Sequence, residues 1–149
     1  MARVQFDINT TLAPEAVVKL LTDFSPQRPE RWPGLDPKLY EVYSVTDTSA
    51  EVREGGPSTT WAKERYDWST PGKVRWEVLE SSFCKPGSFV QANINANPSG
   101  GSAIHFEWER KASNPMGAII TTLVRVTGGA PVKASFEKGL RKAEGTPAP

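Results

Sequence analysis

The chain has 149 residues, enough for one domain with a core but not for two ordinary domains. Its 18 Lys and Arg are interspersed among 17 Asp and Glu, so no charge field favours nucleic acid or an anionic membrane. One Cys and one His exclude an internal disulfide framework and a standard zinc site.

No apolar run approaches the roughly 20 residues needed to span a bilayer. The N-terminal MARVQFDINT lacks the apolar stretch of a signal peptide. The expectation is a cytoplasmic protein without metal or cofactor, monomeric or homodimeric. One domain is expected over residues 1–145, with a flexible tail at 146–149.

Val4, Phe6 and Ile8 alternate with Arg3, Gln5 and Asp7, the period of a half-buried strand. Pro14 and Glu15 then open a helix with Val17, Leu20, Leu21 and Phe24 on one face. Ser25-Pro26 stops it. The segment QRPERWPGL at 27–35 is interrupted by prolines and has room for a turn or two of helix around Trp32. That aromatic either plugs the space under a loop or covers a cavity.

From Leu39 the period changes to two. Residues 39–45 and 50–54 read as a hairpin around Asp47-Thr48, with ambiguous facing because Tyr40, Val42, Tyr43 and Val45 fall on both sides. Gly55-Gly56-Pro57 reads as a turn. The next hairpin, 60–68 with 74–80, can be registered from its side chains. Trp68 opposite Val74 places Tyr66 opposite Trp76 and Glu64 opposite Val78 on one face. The other face then pairs Asp67 with Arg75 and Arg65 with Glu77, and a one-residue slip would destroy both patterns.

A further turn, NPSGG at 97–101, sets Ala96 opposite Ser102. Ile94 then meets Ile104, Ala92 meets Phe106 and Val90 meets Trp108, while the polar residues share the other face. Asn114 and Pro115 supply a cap and a first-turn proline for the last helix. Its apolar positions are Met116, Ile119, Ile120, Leu123 and Val124, resuming at Val132, Phe136 and Leu140. One long helix is expected, kinked or broken at Gly128-Gly129, and a fixed kink is favoured over a mobile hinge. A sheet wet on one face needs a cover on the other, and this helix is large enough to supply it.

The order strand, helix, short helix, about six antiparallel strands and long helix resembles the helix-grip fold of the START-like superfamily. That superfamily includes Bet v 1-type allergens, lipid-transfer domains and polyketide cyclase/dehydrase-type (SRPBCC) proteins. The stretches that carry the likeness to small bacterial cyclase/dehydrase-type members are YDWSTPGKVRWEV at 66–78, CKPGS at 84–88 and FEWER at 106–110. The resemblance implies an α+β fold. A curved antiparallel sheet of about seven strands would wrap around a long C-terminal helix, with two short helices after strand 1 and a hydrophobic cavity between sheet and helix. It implies no particular reaction.

The chain carries no P-loop, nucleophile elbow or dinucleotide fingerprint. His105 falls on the polar face as a surface histidine, and Cys84 reads as an incidental loop thiol. Glu64 is the anomaly, a carboxylate in register with Tyr66, Trp76 and Val78. Enclosed there, its charged form would be disfavoured, which suits a general acid or a ligand anchor. A bulge near Ala62 would instead leave it at a wet sheet edge.

The candidate cavity wall comprises Trp32, Tyr66, Trp68, Trp76, Ile94, Phe106 and Trp108, faced by Met116, Ile120, Leu123 and Val124 of the helix. Two functions compete. One is binding of a small lipid-like or polyketide-like molecule. The other is cyclase or dehydratase catalysis with Glu64 and Tyr66 moving protons. An interaction or regulatory protein with an occluded cavity is a third possibility.

Overall fold

The computed structural model describes residues 2–56 and 60–145. Pro57, expected in a turn, and the tail at 146–149 lie outside the described residues. The strands are Ala2–Thr10 (β1), Glu41–Val45 (β2), Ser49–Gly55 (β3), Trp61–Asp67 (β4), Lys73–Ser81 (β5), Phe89–Ala96 (β6) and Ser102–Arg110 (β7). The helices are Pro14–Leu21 (α1), Arg28–Arg31 (α2), Pro115–Val126 (α3) and Ala130–Gly145 (α4), with a 3₁₀ turn at Pro37–Leu39. All seven strands form one antiparallel sheet in the order β1-β7-β6-β5-β4-β3-β2. This is the α+β architecture expected.

Both registers read from side-chain pairing are observed. Tyr66 lies opposite Trp76 and Arg65 opposite Glu77, while Ala92 lies opposite Phe106 and Val90 opposite Trp108. The bulge anticipated near Ala62 is also present, but β5 carries it. Lys63 faces Glu80 and Glu64 faces Val78, so Leu79 is the extra residue. The alternation of β4 is therefore undisturbed, and Ala62, Glu64 and Tyr66 are all buried on one side.

The ambiguous hairpin resolves in favour of β3. Ala50, Val52 and Glu54 point inward, whereas β2 is an edge strand exposed along its whole length. Its Tyr43 ring lies 4.5 Å from the Lys63 ammonium on the neighbouring outer surface.

Val17, Leu20 and Leu21 seat α1 on the core. Asn114 caps α3 by accepting from the Gly117 N–H at 2.8 Å. The helix ends where Gly128 N–H bonds the Arg125 carbonyl at 3.1 Å and Gly129 N–H bonds that of Val124 at 2.8 Å. Both glycines have left-handed φ values, 65° and 85°, so this is a built glycine cap. The C-terminal segment is thus two helices joined by a fixed turn.

The break redistributes the burial. Gly117, Thr121 and Val124 face inward from α3, and Gly117 lies so close to the Phe83 carbonyl that an added Cβ would stand 1.9 Å from its oxygen. Met116, Ile119, Leu123 and Val126 point outward, between 49% and 71% exposed. The helix laid on the concave face is α4, through Phe136 and Leu140.

Candidate functional site

A cavity of about 250 Å³ lies between the concave face of β3, β4, β5 and β7, the α2 segment and α4. Its exposed lining residues, Gly34 and Ser135, mark the side on which it reaches solvent. Trp76, Phe136, Leu35 and Trp32 supply apolar wall, and Phe83 adds more from the connection between β5 and β6. Tyr66 stacks on Trp76 with ring centres 5.0 Å apart, as their register requires. Trp32 is held by α4, because Gly139 leaves room for the indole. A Cβ there would be 2.2 Å from its Cε3.

Two ion pairs stand on this wall, and they differ. In the first, Arg28 donates from Nε to Glu54 Oε2 at 2.8 Å. Its Nη1 donates to the carbonyls of Leu21 at 3.0 Å and Asp23 at 3.1 Å, and its Nη2 to the Tyr66 hydroxyl at 3.2 Å. The Tyr66 hydroxyl in turn donates to Glu54 Oε1. Burial opposes the Arg28 charge, yet Glu54 and Tyr66 together, through charge and hydrogen bonds, more than offset it and hold the guanidinium ionised. Burial first, and then the Glu54 charge, push the Tyr66 phenol well above its ordinary value.

The second pair is looser. Arg110 Nη2 stands 3.3 Å from Glu64 Oε2, and Nη1 stands 3.5 Å from Cys84 Sγ. Both charged side chains are at least nine-tenths buried. Burial raises the Glu64 carboxyl to about 7; Arg110 opposes that rise and the Glu54 charge adds to it. Glu64 and Glu54 are diagonal neighbours on one face, since Glu54 pairs with Ala62, and such positions lie roughly 7 Å apart. Glu64 is enclosed, and the wet-edge alternative is excluded.

Among the residues expected to form the site, Trp32, Glu64, Tyr66 and Trp76 line the cavity together. Ile94, Phe106 and Trp108 are buried in the core beside it, and Trp68 packs half-buried against Phe24. The helix contribution requires correction. Met116 and Leu123 are 49% and 55% exposed, Ile120 is half-buried, and Val124 packs into the core without reaching the cavity. The glycine turn ends α3 before it crosses the sheet, so Ser135 and Phe136 of α4 form that wall instead.

Cys84, on the connection between β5 and β6, is buried, and His105 lies on the outer face with Asp7. Arg28, Glu54 and Arg110 are the functional candidates that the sequence reading missed. Two had a usable signal. Glu54 continues the parity of Ala50 and Val52, and Arg110 continues that of Phe106 and Trp108.

No protein-family model and no curated protein matches the chain. Solved structures do match it. A START superfamily protein from Mycobacterium smegmatis superposes with a TM-score of 0.76 at 8% identity, over 97% of each chain. The Zhui aromatase/cyclase from Streptomyces sp. R1128 gives 0.70 at 13% identity, covering 95% of this chain and 93% of the other. A major latex-like protein from Panax ginseng gives 0.59 at 10% identity, covering 85% and 93%. The chain has the START-like helix-grip fold. The helix gripped in this version of the fold is α4, with α3 set to one side by the glycine turn.

Proposed function

We propose that the protein binds a small hydrophobic molecule in the cavity between the sheet and α4. The observation that carries this reading is the void itself. Phe136 stacks on Phe106 at 4.4 Å, yet about 250 Å³ of mostly apolar-walled space remains beside it. Ligand pockets of this kind are mostly apolar with a few placed polar groups. At about 30 Å³ per water-sized group, the space suits roughly eight to ten non-hydrogen atoms. The likeness in fold to an aromatase/cyclase and to a START superfamily protein supports the same reading. An occluded interaction protein is less well supported, because aromatic side chains leave the cavity unfilled.

Trp32 and Trp76 report on the site. Adding apolar or polycyclic aromatic compounds of this size is expected to change Trp fluorescence saturably and to raise the melting temperature. Mass spectrometry of the natively purified protein checks for a retained ligand. Silence in both measurements across a broad panel would count against the binding function.

One observation favours cyclase or dehydratase chemistry as a second reading. Glu64, with its carboxyl raised to about 7 by burial, is poised for proton transfer near neutral pH. Tyr66 suits that role less well, because its O–H already donates to Glu54. In an enzyme, Glu64→Gln would abolish turnover of a polyketide-like substrate while binding persists.

A further inference from the structure

The two arginines of the cavity differ in how fully their donors are used. Arg28 spends its guanidinium on Glu54, two backbone carbonyls and Tyr66. Among the described residues, Arg110 has only Glu64 at 3.3 Å and the Cys84 thiol at 3.5 Å, with the Phe83 and Trp108 rings 5.8 Å and 5.7 Å from its guanidinium carbon. A guanidinium carries five N–H donors, and sulfur is a weak acceptor. Arg110 is therefore a buried cation with unused donors on the wall of a cavity, next to a carboxyl that can give up its charge.

Resting on the cavity reading above, we propose that Arg110 receives the carboxylate of a small apolar acid, and that Glu64 takes up a proton as it binds. The apolar chain then lies along Trp76, Phe136 and Leu35. Arg110 matches a carboxylate with two parallel N–H···O bonds, a geometry it does not achieve with Glu64. The balance is simple. With Glu64 ionised, one ligand anion and one solvent proton enter, Glu64 becomes a carboxylic acid, and Arg110 exchanges one anionic partner for another.

The surroundings fit this exchange. Glu64 faces Arg110 from β7, Glu54 from β3 and Arg28 from α2, with Tyr66 beside it on β4 and Cys84 on the connection between β5 and β6. Without a proton on Glu64, a third carboxylate would join Glu54 and Glu64 in one enclosed space beside two cations. With that proton the count is two against two. The Glu64 carboxyl is already raised to about 7 by burial, so neutralising it needs little at neutral pH.

The test compares octanoate with 1-octanol, which match in size and differ in charge, by calorimetry and Trp fluorescence. Octanoate is expected to bind at pH 6 and to weaken about tenfold by pH 8, as each empty site must first regain a proton. Calorimetry at pH 8 in phosphate and in Tris should show uptake of about one proton per octanoate bound. Octanol affinity should stay flat over the same range. Glu64→Gln, which fixes the uncharged form, should bind octanoate at pH 8 about tenfold more tightly than the native protein and lose the pH dependence.

Octanoate binding without proton uptake, or octanol binding as tightly and with the same pH profile, would overturn the carboxylate site and leave the cavity reading standing. Binding of neither probe would overturn the cavity reading, and the carboxylate site with it. The proton count uses the native protein, so the test survives a variant that fails to fold.

Discussion

Glu54 and Glu64 share one face of two neighbouring strands, but Glu54 is held by Arg28 and Tyr66 while Glu64 has one long ionic contact. The consequence is a pH dependence of stability. Folding raises the Glu64 carboxyl from 4.5 to about 7, so the folded state binds its proton more tightly than the unfolded chain does. Its contribution is fully present below pH 4.5 and is lost as pH rises through about 7, a span worth about 3 kcal/mol. Urea denaturation of native protein and Glu64→Gln at pH 5 and pH 8 isolates it. The native protein should lose about 2 kcal/mol more than the variant between those values. Parallel losses would mean that Glu64 ionises freely in the fold.

At the scale of elements, the register of β6 with β7 was legible from its turn at 97–101, and that of β4 with β5 from two independent markers. Opposite charges such as Asp67 with Arg75 and aromatics such as Tyr66 with Trp76 satisfy the pairing on opposite faces. The cap and break of the C-terminal segment were legible for a similar reason, since Asn114-Pro115 and Gly128-Gly129 have specific backbone uses. The docking of Trp32 on α4 had no such marker, because Gly139 lies mid-helix where glycine is ordinarily a weakness.

Gly139→Ala tests that contact. Alanine improves helix propensity by up to about 1 kcal/mol, but its Cβ would stand 2.2 Å from the Trp32 ring. Overpacking should win, with a net loss of about 1–3 kcal/mol in urea denaturation and a shift in Trp emission. A more stable variant would show that the indole is free to move aside.

At the scale of the whole molecule, Phe136 fastens the helix layer to the sheet. Its ring lies 4.4 Å from that of Phe106, 6.0 Å from those of Trp32 and Trp76, and 6.3 Å from that of Phe6. Phe136→Ala should cost about 3 kcal/mol in chemical denaturation, near the low end of buried aromatic truncations because the ring also borders the void. Leu123→Ala, on the exposed side of α3, should change stability by less than about 0.5 kcal/mol. Equal effects would contradict the assignment of α4 as the gripped helix.

The sequence by itself determined the strands, the pairing of the two long hairpins, the helix cap and the interruption at the glycine pair. All of these follow from alternation, cross-strand partners or backbone preference within a few residues. The inward side of Glu64 waited on the bulge, which the structure places on β5 rather than β4. Only the tertiary structure decided which half of the C-terminal segment meets the sheet, because both halves carry an apolar stripe and either could cover it.

The partner of Glu64 was also a tertiary decision. Arg110 belongs to β7, three strands from β4, a separation of about 14 Å in a flat sheet. Curvature of the sheet brings their side chains to 3.3 Å. Strand pairing reports only adjacent strands, so no local pattern could show that these two charges would meet.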